Sequence, residues 1–383
     1  MLWLLLSLLV ASITASPVLY RRRSAYPATD LTGPPPKAEW IASYDAAKNA
    51  GKIPEIPHSR LVNGNIVYPA EVHAEAVCSW TVTGCFGPRD IFNAPDGLYG
   101  ISFDDGPLKD SPALYRFLQD QNQTATHFFI GGNVVDNAPI FAQALASGGH
   151  IGSHSWSHPY SAQMSTLTDH QILGELGWTS QAIYDLSGGF VPKYWRPPYG
   201  DADNRVRAIA EDVFGLTLVG WNQDSDDWCL NDSGGSVCRA EGPSNLAALE
   251  REILQWINQT SKPGIIGLQH ELSSSAIEAF INTFPKLEES SWDARCIPDL
   301  FGDAWYQNAP RNASSIPNLA TVGGGPVSSL APISISPTVL PSPAQGFQAP
   351  ISVSSHQIST ASCLTVTSFP WAVPLSLLLS FAA

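Results

Sequence analysis

Residues 98–107, LYGISFDDGP, carry the pattern that decides the fold of this 383-residue chain. The apolar part is typical of a short buried strand, and it ends abruptly in two aspartates, a glycine and a proline. Adjacent carboxylates repel each other when both are ionised, so Asp104 and Asp105 need a cation and a hydrogen-bond donor beside them. Taken alone, the stretch also fits an ordinary Asp-rich turn. Other parts of the chain must decide between the two.

A second stretch, residues 154–158 (HSWSH), supplies two imidazoles four residues apart. His154 and His158 can lie on one side of a helical or turned backbone and reach one divalent metal ion. Pro159 follows and prevents a long helix, because the residue before a proline is pushed out of the helical region. An HxxxH pattern by itself is weak. Asp105 offers the third ligand that a metal site needs.

Apolar strands alternate with amphipathic helices from residue 97 to about residue 285. The segments lie at 126–130, 139–146, 150–153, 169–186, 216–221, 245–258 and 264–268. Such alternation predicts an α/β fold with parallel strands and helical crossovers. The aspartates and histidines come just after strands, which is where barrels of this kind place active sites.

Three further groups follow strands in the same way. Residues 196–200 (RPPYG) place an arginine, whose planar fork suits a carboxylate, on a loop made rigid by two prolines. Residues 224–228 (DSDDW) place acids next to an indole, and the strand at 264–268 is followed by Gln269 and His270. Each group alone is more often structural, but five of them in order are hard to assign to chance.

In this order and spacing, the five motifs resemble those of the polysaccharide deacetylase family of carbohydrate esterases, the NodB homology domain. The motifs are 102–105 (SFDD), 154–158, 196–200, 224–228 and 268–270 (LQH). Ser102 stands where threonine is usual, and the hydroxyl is kept. The resemblance covers residues 97–285, about half the chain, and implies a distorted (β/α) barrel.

The resemblance also implies how the first motifs act. Asp105, His154 and His158 would hold a divalent metal, zinc above all, although cobalt or manganese suits the same ligands. Asp104 would be the general base on a water molecule. Arg196 would orient the Asp104 carboxylate.

The later motifs would complete the reaction. The backbone N–H of Tyr199 would stabilise the oxyanion, and His270, paired with Asp224, would protonate the departing amine. Trp228 and Leu268 would wall a small pocket for the acetyl methyl group. The substrate implied is chitin, whose N-acetylglucosamine units would give chitosan and acetate.

Two other functions remain open. A deacetylase or esterase acting on xylan or peptidoglycan would share every catalytic residue. A non-catalytic chitin-binding wall protein would be expected to lack a metal ligand or the base, and this sequence has both. Nucleic acid is excluded as a partner, because the net charge is −14 and the only basic run is residues 21–23. We expect a monomer.

The two ends of the chain resemble processing signals. Residues 2–10 are apolar and residues 11–16 are small, which predicts a secretory signal at 1–15. A Pro- and Ser-rich stretch and a second apolar run near the end predict an O-glycosylated stalk and a glycolipid (GPI) anchor signal. We therefore predict a secreted protein on the outer face of the plasma membrane and in the cell wall. The predicted segments are 1–15 (signal), 16–96 (N-terminal extension), 97–285 (deacetylase domain), 286–309 (C-terminal extension), 310–362 (stalk) and 363–383 (anchor tail).

The cysteines and sequons fit an exported protein. Cys229 and Cys238 are close enough to form a disulfide, whereas the partners of Cys78, Cys85 and Cys296 stay open and one thiol should be unpaired. The candidate N-glycosylation sites are Asn122, Asn231, Asn258 and Asn312. Five of the six histidines outside the motifs are expected to be structural or solvent-exposed: His73, His127, His150, His170 and His356.

Overall fold

The structure is a computed structural model that describes residues 25–160, 162–238, 242–260, 262–314 and 321–324. The predicted signal at 1–15, the anchor tail at 363–383 and most of the stalk at 310–362 lie outside these residues. Within the described ranges, no helix has the length and apolar character needed to cross a bilayer.

Eleven strands are present in the described residues. They are β1 (Arg60–Val62), β2 (Asn65–Val67), β3 (Leu98–Gly100), β4 (Ser102–Asp104), β5 (Thr126–Phe129), β6 (His150–Ser153), β7 (Tyr194–Trp195), β8 (Thr217–Leu218), β9 (Gln223–Asp224), β10 (Ile265–His270) and β11 (Asp293–Arg295).

Eleven α-helices and three short 3-10 turns connect the strands in the same part of the chain. The helices are α1 (Ala38–Asn49), α2 (Ala74–Val77), α3 (Trp80–Thr83), α4 (Ser111–Asp120), α5 (Gly131–Asp136), α6 (Ala138–Ala146), α7 (Asp169–Ser187), α8 (Asn204–Phe214), α9 (Leu246–Ile257), α10 (Ser274–Glu288) and α11 (Ile297–Leu300). The 3-10 turns are Met164–Thr166, Pro198–Gly200 and Asp227–Cys229.

The main sheet is parallel and closes on itself. Its order is β11-β3-β10-β4-β5-β6-β7-β8, and β9 pairs with β10. Since β8 and β9 are parts of one segment, residues 217–224, that segment joins β7 on one side to β10 on the other and completes a ring. Several strands are only two residues long, so the ring is irregular. The prediction of an α/β distorted barrel is confirmed.

Asn222 holds the seam of the ring between β8 and β9. Its backbone N–H donates to Ile266 O (3.1 Å), and its side-chain Oδ1 accepts from Ile266 N (2.8 Å). Its Nδ2 also donates to Gly264 O (2.9 Å). The amide side chain therefore satisfies backbone groups that a longer strand would otherwise pair.

One strand prediction needs correction. The apolar run 98–103 is two strands, because the chain changes partners at Ile101. β3 pairs with β11 and β10, whereas β4 pairs with β10 and β5. Ile101 N donates to Arg295 O, and Ile101 O accepts from Thr126 N. A continuous apolar pattern does not show such a change of partner.

The N-terminal extension packs on the helices outside the barrel. Trp40 of α1 is fully buried, and its Nε1 donates to Val322 O (3.1 Å). A Cβ at Gly177 of α7 would lie 2.4 Å from the Trp40 ring, so only glycine allows this approach. The extension is therefore continuous with the core of the protein.

Two disulfides are formed among the described residues, Cys78–Cys85 and Cys229–Cys238. The predicted bond between Cys229 and Cys238 is present, and the open choice among the other three is resolved in favour of Cys78 with Cys85. Cys296 is a buried free thiol, which fits the prediction that one of the five cysteines outside the anchor tail at 363–383 is unpaired. Burial raises the pKa of the Cys296 thiol well above its ordinary value.

Candidate active site

Asp105, His154 and His158 come together at the carboxyl ends of β4 and β6. Asp105 Oδ1 lies 3.3 Å from His154 Nε2 and 3.6 Å from His158 Nε2. One ligand atom from each residue lies within 4.8 Å of the others. Asp105 Oδ1 is buried and has no hydrogen-bond partner. A divalent cation would satisfy this oxygen, and oxygen and imidazole donors at this spacing fit a tetrahedral ion such as zinc.

His154 is held in the tautomer that a metal ligand requires. Its Nδ1 lies 2.7 Å from Arg196 O, and a carbonyl oxygen only accepts, so Nδ1 carries the proton and donates. The lone pair is then on Nε2, which faces Asp105. A ligating histidine typically has such a second hydrogen bond.

The charge states of Asp105 and His158 suit metal binding. Burial by itself would raise the pKa of Asp105, but the imidazoles of His158 and His154 lower it well below its ordinary value. Burial lowers the pKa of His158. At neutral pH, Asp105 is therefore an anion and His158 is neutral, which are the forms that coordinate a cation.

The turn after β4 has an unusual backbone. Asp105 has φ +70°, in the left-handed region, and Gly106 follows. A Cβ at Gly106 would lie 2.5 Å from Glu271 Oε2, so glycine is required there. This tight turn leaves Asp104 buried at the strand end and directs Asp105 toward the histidines.

Asp104 is buried and anchored by Arg196. Arg196 Nη1 donates to Asp104 Oδ1 (2.7 Å), and Nη2 donates to Ser102 Oγ (2.9 Å). Ser102 Oγ in turn donates to Gly267 O (2.7 Å), which explains why a hydroxyl suffices at this position. Asp104 Oδ2 stays 3.7 Å from His154 Nε2. The predicted pairing of Asp104 with Arg196 is present.

His270 has a different partner from the one that we predicted. Its Nδ1 lies 2.6 Å from Asp227 Oδ1, and its backbone N–H donates to Asp227 Oδ2 (2.8 Å). Asp224 instead accepts from Trp221 Nε1 (3.1 Å) and from Asp226 N (3.0 Å). The pairing of His270 with Asp224 is therefore wrong, and Asp227 takes that position.

The environments of the two aspartates differ accordingly. Asp227 is fully buried, whereas burial and the nearby Asp226 raise the pKa of Asp224 to about 6. Burial by itself would lower the pKa of His270, but the carboxylates of Asp227, first of all, and of Asp105 and Asp104 raise it to about 10. His270 is therefore protonated at neutral pH, and its free Nε2–H can donate a proton.

The predicted substrate-contacting residues differ in the exposed fraction of their side chains. Tyr199 is 37% exposed, has φ +58°, and its ring meets His158 edge-on at 4.8 Å between centroids. Trp228 is 44% exposed, and its Nε1 donates to Asp226 Oδ1 (3.3 Å). Leu268 is 5% exposed, so it presents little surface to a ligand.

Sequence reasoning missed two buried acids. Asp227 lay inside a recognised motif, but three carboxylates in four residues gave no reason to prefer it. Glu175 lies on α7 and accepts hydrogen bonds from Trp156 N and Ser157 N (2.8 and 2.9 Å), inside the loop that carries both histidines. A lone acid among apolar residues in 172–178 (ILGELGW) was the available signal.

Of the other predicted sites, the four sequons differ in environment. Asn122, Asn231 and Asn258 are exposed. The Asn312 amide is engaged, because Nδ2 donates to Gly149 O (2.8 Å) and Leu145 O (3.4 Å). Its Oδ1 also accepts from Tyr306 Oη (2.7 Å).

The comparisons with known proteins agree with this geometry. The sequence model of the polysaccharide deacetylase family matches residues 93–219. The chain is 37% identical over 278 residues to chitin deacetylase 3 of Cryptococcus neoformans, covering 71% of this chain and 65% of that protein. It is 34% identical over 234 residues to chitin deacetylase 1 of Saccharomyces cerevisiae, covering 60% of this chain and 68% of that protein.

Solved structures give a looser likeness. The chitin deacetylase of Colletotrichum lindemuthianum superimposes with a TM-score of 0.49 and 22% identity, covering 57% of this chain and 94% of that one. This chain thus belongs to the polysaccharide deacetylase family. It spans slightly less than two thirds of the Cryptococcus relative.

Proposed function

We propose that this protein hydrolyses the N-acetyl groups of N-acetylglucosamine units in chitin, giving chitosan and acetate. One observation carries the proposal: a metal-ligand triad lies next to a buried carboxylate anchored by arginine, Asp104, and a histidine anchored by a carboxylate, His270, stands opposite Asp104 on the neighbouring strand. An amide hydrolase needs a group that takes a proton from water and a group that gives one to the leaving amine.

The metal would be held by Asp105, His154 and His158, and we propose zinc. The unpartnered Asp105 Oδ1 and the fixed tautomer of His154 support a cation there. When bound, such an ion polarises the acetyl carbonyl and lowers the pKa of a water molecule. Cobalt and manganese are alternatives that accept the same ligands.

Asp104 would accept the proton of the attacking water. Arg196 fixes its Oδ1, so Oδ2 is the oxygen left to take a proton. The tetrahedral species that forms carries a negative oxygen, which the Tyr199 backbone N–H would stabilise.

His270 would complete the reaction. Its Nε2–H protonates the amine as the C–N bond breaks, and Asp227 stabilises the imidazolium from the other side. The products are acetate and a free amine on the sugar. Trp228 would contribute an exposed indole face to substrate binding, whereas Leu268 would add only an edge.

The choice of chitin rests on the relatives, several of which are named chitin deacetylases. Acetylated xylan and peptidoglycan remain alternative substrates with the same chemistry, and a non-catalytic chitin-binding wall protein remains the alternative class. The composition of the two chain ends supports secretion and a GPI anchor as further proposals, and we propose that the protein is a monomer.

Acetate release from chitin oligomers tests the proposal. The full chain should lose activity after chelation, regain it with Zn²⁺, and show a fall in kcat of roughly 10²- to 10⁴-fold in Asp104→Asn. Chitosan and acetylated xylan should be assayed in parallel. Asp96→Asn is a matched control, because Asp96 pairs with Lys262 on the surface (3.2 Å) and does not contact the site.

The possible outcomes separate the alternatives. Release of acetate from acetylated xylan but not from chitin would show that the enzyme is a deacetylase of another polymer. The wall-binding protein would be favoured by two results together. The unaltered chain would release no acetate from any polymer, and Asp104→Asn would still bind chitin.

A further inference from the structure

The metal loop, residues 154–158, has a backbone that its own sequence does not favour. Ser155 has φ +62° and His158 has φ +44°, both in the left-handed region and neither a glycine. Such conformations persist only when surrounding contacts hold them in place. The position of both histidine ligands therefore depends on what lies behind the loop.

Glu175 is the main contact behind the metal loop. Its Oε2 accepts from Trp156 N (2.8 Å) and Ser157 N (2.9 Å), and its Oε1 accepts from Ser157 Oγ (2.8 Å). The side chain is fully buried. A buried carboxylate that receives several donors is a strong and directional anchor.

The fourth donor to Glu175 comes from the N-terminal strap, residues 25–36. Gly33 N donates to Glu175 Oε1 (2.7 Å). Close to it, Pro34 O lies so near α7 that a Cβ at Gly174 would meet it at 1.8 Å. The strap thus lies directly on the helix that carries Glu175 and completes the shell of donors around the carboxylate.

The strap also contacts the metal loop itself. Trp156, between the two histidine ligands, is fully buried, and its Nε1 donates to Ala28 O (2.9 Å). The Tyr26 ring stacks on it with centroids 6.1 Å apart. The strap lies outside residues 93–219, which the family model matches.

We propose that Glu175 is a positioning residue for the metal loop, and that the N-terminal strap completes this support, so that metal affinity depends on a segment remote in sequence. The inference deepens the proposed function and rests on it for the identity of the site. Residues 25–36, which belong to the predicted N-terminal extension, therefore act on the metal ligands through Glu175 and Trp156.

Metal affinity in the full chain tests this proposal. Zn²⁺ binding is measured by competition with a chelating dye, and ligand geometry by the visible absorption of the Co²⁺-loaded protein. Gly33→Ala should weaken Zn²⁺ binding about tenfold or more and alter the Co²⁺ spectrum. The new Cβ would lie 2.5 Å from Gln171 Cβ and push the strap off α7. Glu175→Gln should have a similar effect.

Gly51→Ala is the matched control. Gly51 also has a positive φ, +71°, and lies in the same extension, but a Cβ there has no neighbour within 4 Å. It carries the same backbone strain without displacing the strap, so its Zn²⁺ affinity should match that of the unaltered chain. Trp156→Phe removes the donor to Ala28 together with part of the buried indole, and it leaves Glu175 in place, so it tests the support even if Glu175→Gln fails to fold.

The inference fails if Gly33→Ala and Trp156→Phe lower thermal stability while Zn²⁺ affinity and the Co²⁺ spectrum stay as in the control. That result would make the strap a structural element only. If the unaltered chain releases no acetate but its metal affinity depends on the strap, the proposed function fails and the inference stands. If the unaltered chain binds none of Zn²⁺, Co²⁺ and Mn²⁺, both are overturned.

Discussion

Replacing Asp227 by asparagine should move the alkaline limb of the pH–rate profile to lower pH. In the proposed mechanism His270 must be protonated to donate to the leaving amine, and the Asp227 carboxylate 2.6 Å away is the largest of the charges that raise its pKa to about 10. Without that charge, the imidazolium deprotonates at lower pH, so activity at alkaline pH is lost first. The direction of the shift follows from the sign of the charge removed.

The size of the effect follows from the contact. A hydrogen bond to a charged group contributes about 1.5–3 kcal/mol, and one pKa unit corresponds to about 1.4 kcal/mol. We therefore expect Asp227→Asn to lower the limb by roughly 1–2 pH units and kcat by roughly 10- to 150-fold. Asp105 and Asp104 also raise the pKa of His270, so the loss of Asp227 removes only part of the shift.

The assay is acetate release from chitin oligomers by the zinc-loaded full chain at closely spaced pH values. Asp224→Asn is the paired variant, because Asp224 bonds to Trp221 and Asp226 and should leave the limb in place. If Asp224→Asn moves the limb and Asp227→Asn does not, the assignment of Asp227 as the partner of His270 is refuted. Circular dichroism at each pH confirms that both variants are folded.

Three further results are expected. Arg196→Lys should lower the free energy of unfolding, measured in urea, by roughly 2–4 kcal/mol. One ammonium cannot replace a guanidinium that contacts Asp104, a hydroxyl and two carbonyls. Unchanged stability would contradict this expectation. Burial lowers the pKa of His150 to about 3, so between about pH 6.5 and pH 3 only the unfolded chain binds a proton there. The free energy of unfolding should therefore decrease as the pH is lowered, by up to about 1.4 kcal/mol per pH unit. Urea titrations of His150→Gln should show a smaller decrease. Glycopeptide mass spectrometry should find Asn312 unmodified, because both protons of its amide are engaged, and a glycan there would show that this contact opens during folding.

Much of the fold and site could be predicted from the sequence. Strand and helix alternation gave parallel strands, and the carboxyl ends of such strands meet at one edge. This reasoning brought Asp104, Asp105, His154 and Arg196 together, and the structure places them in contact. The pattern is local along the chain, and the geometry follows from the general rules of parallel sheets.

The partner of His270 could not be predicted in the same way. Asp224, Asp226 and Asp227 are chemically alike, and the choice depends on a turn at Asp226, where φ is +48°. That turn starts the 3-10 segment and brings Asp227 back under His270. A non-glycine residue in the left-handed region leaves no clear mark in the sequence.

The strap over α7 was also beyond sequence reasoning. Gly33 and Glu175 are 142 residues apart, and nothing in either local pattern links them. Gly174 and Gly177 look like weak points in a helix, since glycine disfavours helical structure. Glycine is required at both positions for a steric reason, because Pro34 O and the Trp40 ring occupy the space where side chains would be.

The pairing of β4 with β10 places His270 directly opposite Asp104 in the ladder. The backbones of the residues proposed as proton acceptor and donor are therefore separated by the spacing of hydrogen-bonded strands, about 4.8 Å, which does not depend on a loop. Loops around the rim can then lengthen, shorten or exchange residues while the proton donor and acceptor keep their separation. Such an arrangement lets one reaction be retained while the polymer that it acts on changes over evolutionary time.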